Sequence, residues 1–168
     1  MKIRIAGMVD DSVVDGEGIR LTIFTQGCQH HCKGCQNPET HDILGGYLAS
    51  TEDILAKALA NPLLTGLTFS GGEPFLHATP LTRLARAAHA HGLDVWCYTG
   101  FTLEELESRK ESNPTFAPLL KEIDVLVDGR FIESERDLTL TFRGSSNQRI
   151  IDLKEYRLTK KIKLLYND

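Results

Sequence analysis

Strand-like and helix-like segments alternate along this chain, and the residues with chemistry to offer fall in the loops that follow the strand-like ones. Residues 19–25 (Ile-Arg-Leu-Thr-Ile-Phe-Thr) are rich in β-formers and run straight into a loop holding three cysteines. Residues 67–70 run into Gly71-Gly72-Glu73-Pro74, residues 93–98 into Thr99-Gly100, and residues 123–127 into Asp128-Gly129-Arg130. Between them lie helical patterns. One is capped by Ser50 or Thr51, carries Glu52 and Asp53 at the positive end of its dipole, and stops before Pro62. A second covers residues 79–91 and ends at Gly92. A third starts at Thr102, with Glu105 completing a capping box. Strands separated by short helices predict an α/β fold with a parallel sheet. In such sheets ligands bind at the C-terminal edge of the strands, so four loaded loops on that edge describe an active site. The βα units are too few to close a ring. The expected architecture is a partial (β/α) barrel, its parallel sheet open on one side.

The cysteine loop carries the sharpest chemistry. Cys28, Cys32 and Cys35 stand at C-x3-C-x2-C spacing. Thiolates bind iron–sulfur clusters and zinc, and both usually take four protein donors. Three cysteines can instead hold a cubane by three irons and leave the fourth open to a substrate. Zinc remains an alternative, because His30, His31 or His41 can supply a fourth ligand, although no second ligand pair follows at finger-like spacing. A disulfide fits less well. Four cysteines in a chain without a signal peptide point to a reducing, cytoplasmic setting.

Composition limits the rest. A chain of 168 residues, 41% hydrophobic, builds one full core and not two, so residues 1–168 are expected to form a single domain. Its net charge of −4 argues against a nucleic-acid partner. No apolar run is long enough to span a bilayer. The basic stretch in residues 154–163 mixes with apolar residues and reads as a solvated face of a C-terminal tail, residues 153–168.

Taken singly, the other motifs have plain readings. Gly71-Gly72-Glu73-Pro74 is either a tight turn or a close approach of backbone to a ligand, with Glu73 offering a carboxylate to an ammonium. Asp15-Gly16-Glu17-Gly18 reads as a hairpin turn, residues 143–148 as a polar turn, and Cys97, inside a strand, as a core thiol. Asp128 and Arg130 are weak signals alone.

Together these segments resemble the radical S-adenosylmethionine enzymes, through the cysteine spacing followed by Gly-Gly-Glu. More narrowly, four segments resemble the activating proteins of anaerobic (class III) ribonucleoside-triphosphate reductase. They are residues 14–20 (Val-Asp-Gly-Glu-Gly-Ile-Arg), the cysteine loop with Asn37-Pro38-Glu39-Thr40 behind it, residues 125–131 and residues 143–149. The likeness runs to about Asp152. It implies a [4Fe–4S] cluster on Cys28, Cys32 and Cys35, with the fourth iron chelated by the amine and carboxylate of S-adenosylmethionine. Gly71, Gly72 and Glu73 would follow the methionyl group, Glu73 accepting from its amine. Gly34 and Gln36 would lie near the adenine or sulfonium, and Thr99, Asp128 and Arg130 would complete the cofactor contacts. Relatives often carry aspartate where this chain has Tyr98-Thr99.

The implied reaction takes one electron from a low-potential donor and cleaves the sulfonium. The resulting 5′-deoxyadenosyl radical takes hydrogen from a glycine of the reductase, leaving a glycyl radical there. An open barrel would admit the glycine-bearing loop of so large a partner. The alternatives are an activase of pyruvate formate-lyase or another glycyl-radical enzyme, a radical enzyme with a small-molecule substrate and, from a different class, a non-catalytic zinc-binding interaction module.

Overall fold

A computed structural model describes residues 1–168. Its strands are β1 (Lys2–Ser12), β2 (Arg20–Thr25), β3 (Tyr47–Ser50), β4 (Gly66–Gly71), β5 (Asp94–Tyr98), β6 (Val125–Asp128), β7 (Arg149–Asp152) and β8 (Leu164–Leu165). They form one open sheet in the order β3-β1-β2-β4-β5-β6-β7-β8. The helices are α1 (Thr51–Leu59), α2 (Ala78–Ala90), α3 (Leu103–Ser108), α4 (Phe116–Glu122) and α5 (Leu153–Thr159).

The four strands expected from the sequence are the four that pair in parallel, β2 with β4, β4 with β5 and β5 with β6. The expectation of a purely parallel sheet is corrected at both ends. β1 and β3 on one side, and β7 and β8 on the other, pair antiparallel. Residues 13–19, between β1 and β2, are too few for the crossover that a parallel pair needs, so β1 must return as a hairpin. The sequence reading places no strand before Ile19, whereas β1 covers Lys2–Ser12. Only Ile3, Ile5 and Ser12 of that strand are buried, a pattern too sparse to stand out from the sequence.

The helix signals hold. Ser50 Oγ accepts from Asp53 N at 3.1 Å at the start of α1. Thr102 and Glu105 form the reciprocal box that opens α3, each side chain accepting from the other's backbone N–H at 3.1 and 3.0 Å.

Period-2 alternation divides the sheet into two unlike faces. Leu21 and Ile23 of β2, Leu67 and Phe69 of β4, Val95 and Cys97 of β5, and Leu126 of β6 point to one face, where α1 to α5 cover them in the main core. Cys97 is thus a core thiol with no exposed surface. The other face bears Arg20, Thr22, Thr68, Ser70, Trp96 and Tyr98, and no helix packs on it. Near the start of β2 it is plugged by the β1–β2 connection: Asp15 Oδ2 accepts from Ser12 Oγ and Thr22 Oγ1, and Asp15 O accepts from Thr68 Oγ1. The Asp15–Gly18 segment is therefore the hairpin turn the sequence suggests, and also a filler of the uncovered face. No helix is long and apolar enough to cross a membrane.

Candidate metal centre

On the uncovered face, at the C-terminal ends of β2, β4, β5 and β6, a cavity of about 750 Å³ opens, and Cys28, Cys32 and Cys35 all line it. None is in a disulfide, and all three are half-buried. The loop that carries them is fixed by backbone bonds. Gly27 N donates to Thr40 O at 2.6 Å, Cys28 N to His41 O at 3.3 Å and Cys35 N to Cys32 O at 3.2 Å. Glu73 N donates to Gly27 O at 2.8 Å, which joins the loop to the turn after β4. The buried amide of Gln26 spans the base of the loop, donating to the carbonyls of Glu39 and Asp42.

Burial pushes the Cys28 and Cys35 thiols up from their ordinary value; the charge of Glu73 adds to the first and that of Cys32 to the second. A cationic iron centre favours the thiolates, so loading it releases protons.

The donor set suits a cluster better than a single ion. No three His, Cys, Asp or Glu side chains are gathered closely enough to hold one metal ion. A mononuclear zinc site needs that convergence, whereas a cubane takes its ligands at separate corners. His30, a candidate fourth zinc ligand, has Nε2 2.7 Å from Glu73 Oε1. Asn37 N–H donates to Cys35 Sγ at 3.4 Å, the kind of bond that tunes a cluster thiolate. His41 Nε2 is the one buried side-chain nitrogen or oxygen without a hydrogen-bond partner, and His41 lines the cavity. A buried polar atom left unpaired in this way suits a site that receives a ligand.

Gly71 and Gly72 form the neighbouring wall. Gly71 has φ +97°, and a Cβ there would press on the Thr25 backbone; at Gly72 it would overlap the Gly27 carbonyl oxygen. Gly72→Ala is therefore expected to force the cysteine loop and the β4 turn apart. The overpacking cost is about 1–3 kcal/mol, read as a lower thermal midpoint.

Of the remaining residues singled out from the sequence, Gln36 and Thr99 line the cavity, while Gly34, Glu73, Asp128 and Arg130 do not. Gly34 turns its Cα toward Glu133. Glu73 has no exposed surface and is bonded wholly within the protein. Asp128 is buried and bonds Leu103 N at 2.8 Å, at the start of α3, and Arg149 NH2 at 2.5 Å. Arg130 pairs with Glu105 of the α3 capping box. Glu73, Asp128 and Arg130 each have their charge paired by a neighbour, which turns them from the cavity. Conversely, Asp15, Phe142, Arg143 and Gln148 line the cavity without having been singled out as site residues. Asp15, Arg143 and Gln148 lie in the segments carrying the family resemblance, which is their only signal in the sequence, and Phe142, just before the last of these segments, has none.

A model of the 4Fe-4S single cluster domain matches residues 14–151. A protein of Haemophilus influenzae named anaerobic ribonucleoside-triphosphate reductase-activating protein is 36% identical over 146 residues, covering 81% of this chain and 89% of its own. The protein of that name from Vibrio cholerae is 38% identical over 145 residues, with the same coverage. The one from phage T4 is 31% identical over 143 residues, 82% of this chain and 86% of its own. The chain belongs to the anaerobic ribonucleoside-triphosphate reductase-activating protein family.

In this member of the activating-protein family, the match to the 4Fe-4S domain spans all four strand-end loops around the cavity, the cysteine loop among them. Residues 152–168, beyond that match, return to the cavity wall. β8 pairs with β7, Tyr166 packs edge-on against Phe142 at 5.3 Å, and Asp168 pairs with Arg143.

Proposed function

We propose that this chain is a radical S-adenosylmethionine oxidoreductase that activates anaerobic ribonucleoside-triphosphate reductase by placing a glycyl radical on it. The observation that carries this reading is the meeting of Cys28, Cys32 and Cys35 with Gly71, Gly72, Gln36 and Thr99 around one cavity. In this reading the open sheet is a partial barrel of the radical S-adenosylmethionine type. Its helices lie outside and its helix-free face is the lumen, which explains why that face carries polar side chains and the cavity. Residues 1–168 act as one cytoplasmic domain, with 153–168 as a tail that supports the lumen wall.

Cys28, Cys32 and Cys35 would hold three corners of a [4Fe–4S] cluster, leaving one corner for S-adenosylmethionine. Bound together, the two supply one-electron chemistry that protein side chains cannot. The chain's own residues shape where that chemistry happens. Gly71 and Gly72 present bare backbone, so the methionyl group can lie close to the sheet edge. Gln36 and Thr99 offer polar atoms to the nucleoside and methionyl ends. Glu73, Asp128 and Arg130 serve by fixing the loops and α3 behind the wall, and Gly34 by turning the chain between two ligands. Exposed Val13, Val14 and Leu138 rim the cavity and give an apolar seat for the glycine-bearing segment of the reductase. Seating it there excludes water from the reacting centre. A low-potential donor supplies the electron; neither nucleic acid nor membrane takes part.

The test is anaerobic. The reconstituted, reduced chain is given S-adenosylmethionine and offered a class III reductase and a pyruvate formate-lyase in separate tubes. A glycyl doublet in the electron paramagnetic resonance spectrum of the reductase alone is the expected result. A doublet on the lyase alone reassigns the partner, and absence of both cluster and cofactor cleavage overturns the reading.

A further inference from the structure

Donors from three different loops converge on the buried carboxylate of Glu73. Phe75 N donates to Oε2 at 3.0 Å and Gly100 N to Oε1 at 2.8 Å. Thr99 Oγ1 lies 2.9 Å from both oxygens, and His30 Nε2 lies 2.7 Å from Oε1. Of these groups only His30 comes from the cysteine loop, midway between Cys28 and Cys32. Its side chain is 3% exposed and Glu73's is 0%. The imidazole is held from its other sides as well. Phe101 meets it edge-on at 4.7 Å between ring centroids, and Gly100 leaves room for it, since a Cβ there would overlap the ring. A buried carboxylate satisfied in this way has little left to offer a ligand amine, and His30 Nε2, engaged with it, is taken while the ring still borders the cavity.

We propose that His30 is a positioning residue that pins the cysteine loop to Glu73, and that Glu73 is the joint of three strand-end loops. The consequence for the cluster rests on the function proposed above; the clamp itself belongs to the chain without any cluster. Through it, the cysteine loop after β2, the Gly-Gly turn after β4 and the Thr99–Gly100 turn after β5 move as one body. The clamp sets the spread of the thiols before a cluster arrives.

Hydrogen exchange on the reduced, cluster-free chain tests the clamp directly. In His30→Ala, peptides covering residues 26–37 and 70–76 are expected to exchange about tenfold faster than in the parent chain, while β5 is unchanged. His30→Gln, whose amide reaches about as far as Nε2, is expected to restore protection to within about threefold. Gly100→Ala, which crowds the ring without altering it, is expected to loosen the same peptides. After reconstitution, His30→Ala should also lose iron to a chelator faster than His30→Gln.

Equal exchange in the parent chain and His30→Ala overturns the proposal. So does His30→Gln behaving like His30→Ala while β5 stays protected. If His30→Ala does not fold, the other two variants decide: a protected His30→Gln with a loosened Gly100→Ala supports the clamp, and an unchanged Gly100→Ala overturns it. A chain that loosens as expected yet builds no cluster keeps the clamp and removes the proposed function.

Discussion

Replacing Cys28, Cys32 or Cys35 by alanine, one at a time, is expected to abolish the brown colour, the bound iron and sulfide, and the activation of the reductase. Each substitution leaves a cubane with two protein thiolates and a second open iron. Loss of a mere outer-shell partner commonly costs about 10–100-fold in metal affinity or activity. Loss of a ligand should exceed that, so activation falls by more than about a hundredfold in every one of the three variants. The internal control is Cys97→Ala. Cys97 is buried on the helix-covered face, away from the cavity, and its loss should leave iron content unchanged. Its cost is about 1 kcal/mol of stability from the small void. Iron and sulfide content with the visible absorption spectrum, taken without air, read all four variants. A loop variant that keeps a full complement of iron would mean that another side chain supplies the ligand, and His41 would be the next to replace.

The largest effect on stability is expected at Arg20. This arginine has no exposed surface, yet it starts a central strand. Its guanidinium donates from Nε to Thr68 Oγ1 at 2.7 Å, from NH1 to Glu17 O at 2.8 Å, and from NH2 to Leu67 O at 2.8 Å and Asp94 Oδ1 at 2.5 Å. It also lies over the Trp96 ring, 5.5 Å from the centroid. Arg20→Ala strips these acceptors of their donor inside the uncovered face. Breaking a buried pair typically costs about 3–5 kcal/mol. The Asp94 side chain is 46% exposed and recovers solvation, which places the cost near about 3 kcal/mol. In a chain of this size that lowers the thermal midpoint by roughly 6–12 °C. Arg20→Lys should recover less than half, because one ammonium cannot replace a planar fork serving acceptors in several directions. A shift under about 2 °C for Arg20→Ala would show that water reaches these acceptors. The same change should loosen the β1–β2 connection, which Arg20 holds through Glu17 O and which brings Asp15 to the cavity.

Local signals were legible where they are self-contained. The caps at Ser50 and Thr102, the four parallel strands and the loops at their C-terminal ends could all be read from short stretches of chain. A cap or a strand end is specified by residues close together in sequence. β1, β3, β7 and β8 were not legible. Tyr47 and Leu48 of β3 are exposed, and β8 is two residues long, so neither carries the burial pattern that marks a strand. Their partners come from distant parts of the chain: Lys2 faces Ser50, and Ile150 faces Leu165.

The candidate site divides in the same way. Cys28, Cys32 and Cys35 fall within eight residues, so spacing places them on one loop, and the backbone bonds to Thr40, His41 and Cys32 fold that loop. The candidate thiol ligands were therefore legible in the linear chain, while a cluster and a zinc ion both stayed open on spacing alone. Where Glu73, Asp128 and Arg130 point was not legible. All three lie in the expected strand-end loops, but a carboxylate or guanidinium turns toward whichever partner lowers its desolvation cost most, and those partners are remote. Glu73 finds His30 and Gly100, Asp128 finds Leu103 N and Arg149, and Arg130 finds Glu105. Motif spacing specifies which residues reach the rim of the sheet, while packing across the rim selects which of them face the cavity, because the buried charges of Glu73 and Asp128 must be paired.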